Sequence, residues 1–177
     1  MKCWTLYLVL PGRFGPLISG FLTLITLTAL QFALLGEVFW VSTGIFFAVI
    51  LSYLPAVHAY ILEITRNAIL ELRSNLQVTD EDIADITERM QRPEAKFQIG
   101  WLVSGITLAL LHINFMGFIP TNANGELDFS GNLVKVTIAG TLLTWCMMTT
   151  VISSLIENGN LIDDLTNHLK QIDIFRK

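Results

Sequence analysis

Four stretches of this chain run for roughly 20 residues each with no Asp, Glu, Lys or Arg inside their cores, which is what a helix needs to cross about 30 Å of hydrocarbon. They are Leu17–Leu35, Val38–Leu62, Phe97–Phe118 and Leu133–Ile156. Nothing else in the sequence narrows the fold as much. The expected fold class is an all-α integral membrane protein: four transmembrane helices, a short cytoplasmic helical loop and an amphipathic C-terminal helix. Composition agrees, since 53% of residues are apolar and only 15% are charged, against about 25% charged in soluble domains.

The chain then divides into an N-terminal interfacial segment (1–16), a hairpin of the first two spans (17–62), a cytoplasmic loop (63–96), the third span (97–118), an external loop (119–132), the fourth span (133–156) and a cytoplasmic amphipathic tail (157–177). Ten of the eleven basic residues fall in segments on one side; Lys135, at the start of the fourth span, is the exception. Cytoplasmic loops retain Lys and Arg, so both termini are expected in the cytoplasm, with the protein multi-pass in the plasma (inner) membrane. The run Cys3–Leu10 lacks a signal-peptide cleavage site and is broken by Pro11-Gly12-Arg13. With Trp4 and Tyr7 it reads as a strip at the membrane surface.

The second helix is expected to continue beyond lipid, because Leu62, Ile69, Leu72 and Leu76 keep helical spacing among charged neighbours. Thr79-Asp80-Glu81-Asp82 is a helix start, with a threonine cap and acids at the positive end of the dipole. Ile83, Ile86 and Met90 would line one face of a short helix stopped by Pro93. The external loop carries turn residues, and its acids Glu126 and Asp128 are too few for a calcium loop of the twelve-residue kind. Cys3 and Cys146 support neither a disulfide nor a metal framework.

Span four and the tail carry a heptad seam: Val134, Thr137, Thr141, Thr144, Met148, Val151, Leu155, Asn158, Ile162, Leu165, Leu169 and Ile172 follow in alternating steps of three and four. Two readings stand side by side. In one, Thr137, Thr141, Thr144, Met148, Val151, Leu155 and Asn158 form an oligomer seam or line a pore, and Ile162, Leu165, Leu169 and Ile172 associate the tails. In the other, span four packs on its own neighbours and Asn158-Gly159-Asn160 ends the helix.

In span three, Gly100, Ser104 and Gly105 offer a close-packing face, and His112 and Asn114 are candidate intramembrane polar sites. For His112 the more common role is helix glue. His58 is expected at the inner surface as a solvated side chain without a partner. Pro55 removes a donor from the second span and is compatible with a kink or a static shape.

No acid, base, nucleophile or metal set converges, so no enzyme, no cofactor and no metal are expected. The expected role is an oligomeric scaffold or signalling subunit presenting a cytoplasmic helical platform to a protein. The alternative is a small homo-oligomeric pore lined by the threonine stripe. Expected partners are membrane lipid, further copies of the chain and a cytosolic protein, with no nucleic acid.

Overall fold

The computed structural model describes residues 2–37, 43–72, 80–121, 124–125 and 127–166. Leu76, Thr79, Glu126, Leu169 and Ile172 lie outside the described residues. The chain forms a short 3-10 helix (Trp4–Leu8) and five α-helices: α1 (Gly15–Leu35), α2 (Thr43–Leu72), α3 (Asp80–Gln91), α4 (Ala95–Met116) and α5 (Asn132–Thr166). There is no strand among the described residues, only one isolated bridge from Thr121 to Leu127 in the loop before α5. Four helices, α1, α2, α4 and α5, are long and apolar enough to cross a membrane.

These four stand in a row, α1–α2–α5–α4, with α3 laid against the ends of α2 and α5. The central pair has 39% and 44% of its apolar stretch buried, against 11% for α1 and 17% for α4 at the flanks. The flanking helices thus keep most of their apolar surface outward, where lipid rather than water suits it. α2 and α5 run parallel, from the end that holds the 119–131 loop to the end where the N-terminal segment docks. These are the loop end and the docking end. At the loop end, Asn132 Nδ2 donates to the Leu34 carbonyl at 3.1 Å and ties the start of α5 to the last turn of α1.

Small residues set the helix contacts. Gly20 of α1 approaches α2 so closely that an added Cβ would lie 3.3 Å from Ala56 Cβ and 3.4 Å from the Ser52 carbonyl. Gly140 of α5 makes room for the Phe47 ring of α2, and around that ring Phe47, Leu51 and Met147 form a buried cluster with Leu27 packed on it. Of the expected close-packing face on span three, only Gly105 serves. Its Cβ would fall 2.7 Å from Cys146 Cα, whereas Gly100 has open space beside it and Ser104 is exposed. The packed face of α4 is Gln98, Gly105, Ala109 and Ile113. Gly105 and Ala109 are a small pair four residues apart, five positions on from the Gly100–Ser104 pair in the sequence.

At 30 and 35 residues, α2 and α5 are about 45 and 52 Å long, well beyond the roughly 30 Å of a bilayer core. Their surplus lengths close a second core at the docking end: Ile69 from α2, Ile83 and Met90 from α3, Leu161 and Leu165 from α5, with Ile86 and Ile162 packed against it. The expected face of α3 is therefore the observed one. α5 runs unbroken through Asn158-Gly159-Asn160, so that tripeptide does not end the helix. A glycine costs a helix about 1 kcal/mol, and burying two leucines beyond it, at roughly 1.5–3 kcal/mol each, outweighs that.

Candidate functional site

The N-terminal segment does not lie along the surface of the bundle. Its 3-10 helix wedges between α2 and α5 at the docking end, with Cys3 and Thr5 fully buried while Tyr7 and Leu8 stay exposed. Two termini hold it. The Cys3 amide donates to the Gln91 carbonyl at the end of α3, at 3.0 Å, and the Leu10 amide donates to Ser19 Oγ in α1, at 2.7 Å. One short segment thus touches α1, α2, α3 and α5.

Beneath the wedge lies a buried polar junction centred on His58. The His58 side chain is 0% exposed, so the expectation of a solvated, unpartnered histidine fails. Its Nδ1 lies 2.9 Å from Thr5 Oγ1 and its Nε2 lies 3.0 Å from Ser154 Oγ. A hydroxyl donates or accepts as required, so the neutral ring is satisfied in either tautomer. Depth along α2 suggested solvent, but the wedge and α5 cover the ring, and a covered polar group needs partners. Cys3 Sγ sits 3.3 Å from Thr5 Oγ1. Burial pushes the Cys3 thiol above its ordinary pKa, and the Thr5 hydrogen bond only partly opposes this, so it stays a protonated, unreactive thiol near neutrality.

A second bond line runs beside the first. Trp4 Nε1 donates to Thr150 Oγ1 at 3.0 Å, and Thr150 Oγ1 donates back to the Cys146 carbonyl at 2.7 Å. Thr150, Ser154 and Asn158 stand four residues apart on α5 and are all buried. Asn158 Nδ2 has no hydrogen-bond partner among the described residues. Ser154 Oγ against His58 Nε2 has the spacing of a nucleophile and its base. The third group is a hydroxyl rather than a carboxylate, however, and Thr5, His58 and Ser154 are each at most 2% exposed. The junction as built joins elements; it does not admit a substrate.

The seam residues turn inward within one copy. Thr137, Thr141, Thr144, Val151, Asn158 and Leu165 are buried, and Met148, Leu155 and Ile162 are half-buried. Among the described residues, α2 and α3 pack against this side of α5. The alternative in which span four packs on its own neighbours describes these contacts, apart from its helix end at Gly159.

His112 and Asn114 separate. His112 Nδ1 accepts the Trp145 Nε1 proton at 2.9 Å, with the two rings edge to face, so it fastens α4 to α5. Asn114 is exposed on the outer side of α4. The residues that sequence reasoning passed over are Thr5, Thr150 and Ser154. For Thr150 and Ser154 the available signal was the stripe at four-residue spacing that meets the heptad seam at Asn158.

No protein-family model, curated protein or solved structure matches this chain.

Proposed function

We propose that the protein is a non-enzymatic, four-span membrane subunit whose docking end faces the cytoplasm and presents a helical platform to a cytosolic protein. The observation that carries this reading is the second core of Ile69, Ile83, Met90, Leu161 and Leu165. It fixes α3, too short to be stable alone, on rigid extensions of two membrane helices. A charged groove of about 250 Å³ opens on this platform between α2 and α3, lined by Arg66, Ala84, Thr87, Glu88, Gln91 and Arg92. The excess of basic residues in the segments at this end supports its cytoplasmic placement. Burial of Thr137, Thr141 and Thr144 inside one copy removes the support that the pore reading drew from them.

A photo-crosslinking side chain at Thr87 tests the proposal in cells, with one at Leu110 on the outward face of α4 as the control. A discrete adduct with a different protein from Thr87 alone is the expected outcome. Adducts only with further copies of the chain would replace the platform by a homo-oligomer, and no protein adduct at all would remove it.

A further inference from the structure

The lipid-facing side of the α1–α2 pair is not smooth. A groove of about 710 Å³ runs along it. Its floor is sunk because Gly20, Ser52 and Ala56 are small where the two helices touch. Its walls stand high because Phe14, Leu17 and Phe21 on one helix face Val49, Tyr53 and Tyr60 on the other, each of them more than half exposed. From Arg13 to Leu24, and from Tyr60 back to Val49, the groove follows twelve residues on each side. That is about 16 Å, close to half the hydrocarbon thickness of a bilayer.

The mouth is cationic. Arg13 sits at the docking end of the groove with its guanidinium 5.8 Å from the centre of the Phe14 ring. Across Pro16, which lines both spaces, lies a smaller pocket of about 270 Å³, of mixed lining, that includes Lys2, Glu63, Arg66 and Gln91. Arg13 thus lines the end of the apolar channel itself, and the neighbouring pocket adds Lys2 and Arg66 against the single carboxylate of Glu63.

We propose that this groove and its basic mouth seat one anionic phospholipid of the leaflet at the docking end, acyl chains between α1 and α2 and phosphate at Arg13. A partner's transmembrane helix fits less well, because it would cross the full bilayer while the groove stops at Leu24 and Val49, halfway along. A zwitterionic lipid leaves the surplus positive charge unanswered. The proposal rests on membrane insertion and not on the platform's partner.

The test is native mass spectrometry of the full chain released from nanodiscs of equal phosphatidylcholine and phosphatidylglycerol. One retained phosphatidylglycerol per chain is expected. Arg13→Gln should lower its preference over phosphatidylcholine about fivefold, the worth of one basic side chain beside an anionic surface, and Arg13→Lys should largely keep it. Arg13 is exposed, so neither change disturbs folding. Lys96→Gln, which removes a basic residue at the start of α4 outside the groove, should change nothing. Equal retention of the two lipids, or an equal effect of Lys96→Gln and Arg13→Gln, would overturn the site. A chain that stays in solution once detergent is removed would overturn membrane insertion itself, a result distinct from a missing lipid preference.

Discussion

α5 is held by two unlike junctions. Against α4 it is held by close approach, with Gly105 over Cys146, Thr149 Oγ1 sharing its proton with the Trp101 carbonyl at 2.9 Å, and the Trp145–His112 bond. Against α2 at the docking end it is held by a chain of polar side chains that passes through His58 and takes in the N-terminal wedge. Lipid tails are as apolar as leucine, so burial alone does not bring helices together, and both close packing and hydrogen bonds serve instead. The first junction joins two helices and nothing more. The second joins the helix row to α3, because the same wedge that caps His58 also holds the end of α3 through Cys3 and Gln91.

The sharpest way to break the first junction is Gly105→Leu. Its new side chain starts within 3 Å of α5 backbone, so α4 must move away, at a cost of about 3 kcal/mol read as a lower unfolding midpoint in detergent. The Cys3 thiol should stay protected, since its hydrogen bonds run to Gln91 at the end of α3 and to Thr5. His58→Ala attacks the second junction. It leaves the Thr5 and Ser154 hydroxyls without their partner and opens a cavity, worth about 2 kcal/mol. Cys3 should then become reactive toward a polar maleimide. Protection that survives His58→Ala would mean that the wedge is held without the junction.

Trp145→Phe sharpens the comparison, because it removes one hydrogen bond of the first junction and leaves the packing. A loss of about 0.6 kcal/mol is expected, and a much larger loss would mean that α4 is held by bonds after all. Smallest is Arg92→Ala on the platform. It removes a 2.6 Å ion pair with Glu88 whose side chains are both more than half exposed, worth under about 0.5 kcal/mol in an unfolding titration.

Some of this was legible in residues. The face of α3 was readable from Ile83, Ile86 and Met90, because an amphipathic helix in water writes its buried side into its spacing. Span four offered no such cue. Within lipid nearly every face of a helix is apolar, so hydrophobic periodicity does not report its rotation, and the stripe holding Thr137, Thr141 and Thr144 read equally well as facing another copy or its own neighbours. His58 was placed in solvent because its depth on α2 is countable and its cover is not: Thr5 lies 53 residues before it and Ser154 96 residues after.

The sequence by itself determined four apolar helices of membrane-crossing length, a short amphipathic helix between the second and third, and a concentration of basic residues in the segments at one end. These follow from local length, spacing and charge. Only the tertiary structure decided the order α1–α2–α5–α4, the inward turn of the α5 seam, the docking of the N-terminal segment and the burial of His58. Each of these depends on which polar and small residues from distant parts of the chain meet, and in an apolar medium it is those few meetings that choose the arrangement.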